Sequence, residues 1–265
     1  MLGSLLRKEI YMEIKIGDLT NLLREETQTA AVVDCSDYVS TVSIPNTVTF
    51  DGLNYTVTEI GYEAFLNCTR LASITLPDSV TSIVDSAFQG CDSLESLSIP
   101  NSVTRIGGSV FYNCHSLKSV TIPDSVTSIG KNTFCGCHSL ESLSIPNSIT
   151  SIGKEAFAVC TSLKSIPIPD SVTKIGVKAF AYCASLKSIN IPNGVTEIGD
   201  LAFYECCDLV SVTLPDSLLG IDESWFRDCS SLTEINVRCT DKSFPLWVSL
   251  MESGYADLVN IVPVI

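Results

Sequence analysis

Large apolar residues return along this chain with one long period. Phe65, Phe88, Phe111, Phe134, Phe157, Phe180, Phe203 and Phe226 stand 23 residues apart. Cys68 to Cys229, Leu71 to Leu232, Ile60 to Ile221 and Pro77 to Pro215 keep the same step without an insertion. Gly61, Gly107, Gly130, Gly153, Gly176 and Gly199 follow most of the Ile positions. A fixed period of this length marks a solenoid, because each repeat is a unit that cannot bury its apolar side until a neighbour covers it. Eight coils around one continuous core are predicted.

Within one coil, Leu140, Leu143 and Ile145 surround the polar Glu141, Ser142 and Ser144. That pattern predicts a short strand with its large residues inward and its small polar ones outward. Pro146 cannot donate to a ladder and ends the strand. Ile149 and Ile152 return the chain to the core, and Gly153 permits a tight bend. Ala156 and Phe157, with Cys160, fit a short helical or irregular turn that closes the coil. Stacked coils would align their strands as one parallel sheet, about 4.8 Å per coil and roughly 40 Å along the array.

The L-x-x-L-x-L spacing of Leu140, Leu143 and Ile145 is a leucine-rich-repeat strand signature. The full unit from Ser116 through Ile122-Pro123, Ile129-Gly130 and Phe134 to Cys137 resembles the BspA-type leucine-rich repeat. The resemblance covers about residues 35 to 237 and implies a leucine-rich-repeat solenoid, an α/β-type right-handed coil rich in strand. Proteins of this kind are mostly bacterial surface or secreted adhesins, with relatives in mucosal protozoa. A host or extracellular-matrix protein is therefore the implied partner, and the cell surface or the exterior the implied location. Residues 44–61 resemble the family's first repeat, with Pro45 to Val57 nine residues longer than the later Pro-to-Val spacing. Asp51-Gly52 between alternating segments predicts a hairpin inserted there.

The ends are expected to act as caps, dividing the chain into 1–34, the solenoid over 35–237, and 238–265. Met12, Ile14 and Ile16 alternate with Glu13 and Lys15 as in a strand. The polar stretch after Arg24 predicts a turn before a strand at residues 29–33. Pro245 to Gly254 reads as a short helix with Leu246, Trp247, Leu250 and Met251 on its core face. Arg7, Lys8 and Glu9 follow too short an apolar stretch for a signal peptide, which leaves a cytoplasmic location as the alternative, and residues 261–265 carry no lipidation or retention signal.

A net charge of −14 is the wrong sign for nucleic acid, which requires a clustered Lys/Arg surface, and it disfavours anionic membranes. No apolar run is long enough to span a bilayer, so no membrane insertion is expected. Twelve cysteines invite a disulfide or metal reading, but eight form the periodic column and no C-x-x-C pair exists among Cys35, Cys135, Cys207 and Cys239. The column is expected to be inward, reduced and structural. His115 and His138, one period apart, should stack in an exposed turn whose position tolerates Thr69, Asp92 and Ala184 elsewhere. Neither a metal nor a cofactor is expected, and no nucleophile–base, P-loop or zincin motif points to an enzyme.

What remains is the outward strand face. Its first position reads Ala72, Glu95, Lys118, Glu141, Lys164, Lys187 and Val210 along the coils. Its second is nearly all Ser, as in Ser96, Ser119, Ser142 and Ser165, and its third includes Ser98, Thr121, Ser144 and Asn190. The chain thus reads as a non-enzymatic interaction or adhesion scaffold binding a macromolecule on this face. A glycan-binding module is the alternative, since Ser, Thr and Asn can hydrogen-bond sugars although no aromatic platform lies at these positions. Alternating charges there fit either a binding surface or neighbouring-strand pairs that keep the sheet soluble.

Overall fold

A computed structural model describes residues 11–238 and 245–262. The sequence readings of the first ten residues, of Cys239, of the Trp247 side chain and of the last three residues lie outside the described residues.

The chain begins with β1 (Tyr11–Ile16), β2 (Leu19–Arg24) and β3 (Thr29–Cys35), an antiparallel meander. β4 (Thr41–Ser43) opens the first coil, and β5 (Thr47–Phe50) pairs antiparallel with β6 (Leu53–Ile60). Asp51 and Gly52 both have positive φ, 46° and 75°, as a two-residue turn between twisted strands requires. β3 runs parallel to β6, so the meander continues the sheet of the solenoid. Eight full repeats, with partial turns at both ends, make about ten turns.

The single sheet expected from the repeat is divided. On the predicted strand face Thr41–Ser43 pairs with Ser73–Thr75 and Ser96–Ser98 with Ser119–Thr121, as two separate short ladders, and strand pairing resumes at Ser188–Asn190. The two intervening coils have no assigned strand there. Pro167 removes the N–H that the third position of a strand would donate. Another ladder continues where that pairing lapses: Ser128–Ile129, Ser151–Ile152, Lys174–Ile175 and Glu197–Ile198 pair in parallel. Backbone bonds on the turn side, such as Phe134 N–H to the Ala156 carbonyl at 2.8 Å and Phe157 N–H to Ala179 at 2.8 Å, hold the same coils from another direction.

Of the two closures open to residues 156–160, the irregular turn is the one formed. It contains two left-handed residues, Glu155 at φ 55° and Val159 at φ 61°. Other coils place Asn67, Gly90, Asn113 or Gly136 at the second of these, residue types that tolerate that region, whereas a β-branched side chain is strained in it. Val159→Asn is therefore expected to stabilise the fold by about 0.5–1 kcal/mol in urea melts. An unchanged midpoint would show that Val159 carries no strain.

The glycine after each Ile has a different role from the bend expected of it. Gly153 and Gly176 are not in the left-handed region. Backbones of adjacent coils approach so closely that a Cβ on Gly176 would lie 2.5 Å from the Lys154 nitrogen and 2.6 Å from the Gly153 carbonyl carbon. Backbone cannot rotate aside as a side chain can, so Gly176→Ala is expected to cost about 1–3 kcal/mol. A neutral result in thermal melts would mean that the coils separate freely.

The core is one column. Phe134, Phe157 and Phe180 stack with centroids 5.3 Å apart, and the stack runs from Phe65 to Phe226. At its C-terminal end Tyr255 meets Phe226 edge-on at 5.8 Å while its hydroxyl donates to the Glu223 carbonyl. Helix α1 (Pro245–Glu252) buries Leu246 and Leu250. Met251, expected on that core face, is exposed instead, because at five residues from Leu246 it lies more than a quarter-turn off the buried stripe.

Candidate functional site: the outer strand face

The alternation within each coil decides what faces solvent. In Ser96–Ser98 the central Leu97 is buried and both serines are exposed, and Ser119–Thr121 and Ser188–Asn190 repeat the pattern. Glu95, Ser96, Ser98, Lys118, Ser119, Thr121, Glu141, Ser142, Ser144, Lys164, Ser165, Lys187 and Asn190 are all exposed. The parallel register sets Ser119 beside Ser96 and Thr121 beside Ser98. Leu143 and Ile166 remain buried in the coils without strand pairing, so the face keeps its inward anchors across the lapse.

Its charges are paired between neighbouring coils. Lys118 Nζ donates to Glu95 at 2.9 Å, Lys164 to Glu141 at 2.7 Å, and Lys187 to Asp208 at 2.7 Å. Every partner is well exposed to water, where such pairs contribute about 0–1 kcal/mol. Arg238 donates to Asn190 and, at 3.1 Å, to Asn193, closing the C-terminal side of the face. The face is polar and formed by repetition. A cavity of about 310 Å³ lined by Asn21, Val48 and β4 adjoins the N-terminal end of the strand face, whereas another of about 430 Å³ lined by Gly176, Gly199 and Trp225 lies off it.

The cysteine column is buried from Cys68 to Cys206 and half-buried at Cys229, and its thiols are free. Cys160 Sγ donates to the Phe134 carbonyl at 3.1 Å and Cys183 to Phe157 at 3.1 Å, with the same contact in other coils. A small S–H donor thus gives a buried carbonyl of the preceding coil a second bond beside its backbone N–H partner, a reason for Cys at this position that spacing alone did not reveal. Serines two residues before the Thr of most Thr-x-Ile-Gly segments behave alike, and were not singled out from the sequence. Ser148 and Ser171 donate to Val126 and Ile149 at 2.6 Å. Their signal was the fixed Pro-x-Ser spacing.

His115 and His138 are neighbours, centroids 4.8 Å apart, but their rings are tilted 38° to one another and not stacked, and His115 Nδ1 lies 3.0 Å from Asp92. Desolvation first, and the neighbouring His115 second, hold His138 below its ordinary value. Among the described residues no group of three or more His, Cys, Asp or Glu side chains is placed to hold a metal, and no helix is long and apolar enough to cross a membrane. Tyr182 and Tyr204 pack edge-to-face at 5.2 Å on the turn side, away from the strand face.

Fold and surface together define a leucine-rich-repeat solenoid. The chain belongs to the BspA-type leucine-rich repeat family, whose model matches residues 36–164 and 150–245 in six copies. A leucine-rich repeat protein from Bacteroides ovatus is 26% identical, with TM-score 0.60, over 94% of this chain and 76% of that one. A leucine-rich cell surface protein from Faecalibacterium prausnitzii is 24% identical, with TM-score 0.35, over 89% and 98%. The leucine-rich repeat protein of T. pallidum is 24% identical, with TM-score 0.42, over 85% of each chain. A search among curated proteins returned no match. Proteins of the leucine-rich repeat family are typically non-enzymatic scaffolds that mediate protein interactions.

Proposed function

We propose that this protein is a non-enzymatic adhesion scaffold that binds a protein partner on its outer strand face, at the cell surface or after secretion. The supporting observation is the set of exposed polar side chains from Glu95 to Asn190, held in register by buried Leu97, Val120, Leu143, Ile166 and Ile189. Since exposed ion pairs add little to stability, Glu95–Lys118 and Glu141–Lys164 can exchange internal partners for external ones at small cost. Family membership supports the same reading, and a location outside the cell is its natural setting.

Binding to a panel of purified extracellular-matrix proteins, alongside a glycan array, tests it. Reversing Lys118 and Lys164 to Glu is expected to weaken capture of a matrix protein by about tenfold or more while circular dichroism is unchanged, because these side chains point away from the core. Reversing Lys131 and Lys154, on the turn side, should change it little. Equal losses from both pairs would indicate nonspecific attraction, and a loss confined to the second pair would move the site off the strand face. Binding to glycans alone would replace the protein partner with a sugar.

A further inference from the structure

β1 is the edge strand of the N-terminal sheet: among the described residues the strand order runs β1-β2-β3-β6, with nothing on the outer side of β1. Exposed edges carry unpaired N–H and carbonyl groups and are normally blunted by charge, proline or bulges. β1 has neither proline nor bulge, and it exposes large apolar side chains, with Tyr11 at 52% and Met12 and Ile16 at 42%. Phe50 and Leu53, also exposed, share a cavity wall with Met12.

The hairpin fixes which backbone groups are free. Gly17–Asp18 is a two-residue turn with Ile16 opposite Leu19, so these two exchange both backbone hydrogen bonds. Alternation then turns the N–H and carbonyl groups of Met12 and Ile14 toward β2, and those of Tyr11, Glu13 and Lys15 out of the sheet edge. An antiparallel strand docking here must bond to these odd-numbered residues.

We propose that the occupant is β1 of a second copy of this chain, paired antiparallel about Ile14 to join two solenoids through one continuous sheet. The charges select this register. Centred on Ile14, each Glu13 faces the other copy's Lys15, twice by symmetry, and each Met12 faces an Ile16. The neighbouring registers that also satisfy the outward backbone groups, centred on Glu13 or Lys15, set like charges directly opposite. The strand is self-complementary in one alignment and self-repelling in the next. Such a dimer presents two copies of the outer face, and the inference does not depend on what that face binds.

Sedimentation of the full chain from about 1 to about 200 µM should show a reversible monomer–dimer equilibrium, as expected for a small interface. Lys15→Glu converts both pairs to like charges and is expected to weaken dimerisation by at least about tenfold. The swap Glu13→Lys with Lys15→Glu restores complementarity and should restore the dimer, which separates charge pairing from simple misfolding. In a background with Cys207→Ser and Cys239→Ser, Ile14→Cys should form an intermolecular disulfide under mild oxidation, since a non-hydrogen-bonded pair brings Cα atoms to about 4.5 Å. Ile16→Cys should not, because the two copies of residue 16 are four positions apart, roughly 13 Å. A chain that stays monomeric throughout, a dimer indifferent to Lys15→Glu, a swap that fails to rescue, or cross-linking through residue 16 in preference to residue 14 would each overturn the proposal.

Discussion

Raising the pH from about 8 to about 11 is expected to unfold the protein, through the cysteines inside it. Burial first pushes the Cys114 and Cys183 thiols up to about 12, and it holds those of Cys137 and Cys160 well above their ordinary value of 9.0. The unfolded chain releases these protons near the ordinary value, whereas the folded chain keeps them. Stability from this source is therefore fully present below about pH 9 and is lost as the pH climbs toward the folded-state values, at about 1.4 kcal/mol per unit for each thiol. Four such thiols would consume an ordinary domain's stability of about 5–15 kcal/mol within one to three units. Urea melts at pH 8, 9 and 10 measure the slope. Replacing Cys137 and Cys160 by Ala should lower stability at pH 8 by leaving the Phe111 and Phe134 carbonyls without their S–H donors. The same double variant should depend less on pH above 9, and an unchanged slope would show that the column does not control alkaline unfolding.

Phe157→Ala is expected to cost about 3–5 kcal/mol, the upper range for a single core truncation. The ring is fully buried, and its neighbours in the stack lie within 9° and 1° of parallel. Deleting it removes the apolar contact and leaves a void between two coils that inter-coil backbone bonds keep from collapsing. Because a solenoid's stability is the sum of its repeats and their nearest-neighbour interfaces, two interfaces are weakened at once. Denaturant melts measure the loss. A change below about 1 kcal/mol would mean that the stack contributes little beyond filling space.

Much of this molecule is legible in one coil. The spacing of Leu140, Leu143 and Ile145 located the outward face, and the columns of Phe157 and Cys160 located the core, because exact repetition gives equivalent residues equivalent surroundings. The Asp51–Gly52 hairpin was legible for a local reason: both residues accept positive φ. Less was visible wherever the cause lay in the adjacent coil. Gly153 read as a bend because glycine's usual role is conformational, yet its constraint is the backbone stacked against it. Pro167 stands at an outward strand position by its spacing, and that spacing does not reveal that its missing N–H helps to break a ladder.

The candidate face divides along the same line. Sequence alone determined which side chains point outward and that Glu95, Lys118, Glu141 and Lys164 alternate in sign, since strand period and repeat length settle both. Which charges meet was decided by the stacking of coils, which sets Lys118 on Glu95, Lys164 on Glu141, and Lys187 on Asp208 from a different position of the repeat. The division of the strands into separate ladders, the thiol-to-carbonyl bonds and, among the described residues, the uncovered edge at β1 also belong to the tertiary structure. Each depends on the distance between segments remote in sequence, and a periodic pattern specifies which residues are equivalent without specifying how closely neighbouring coils approach.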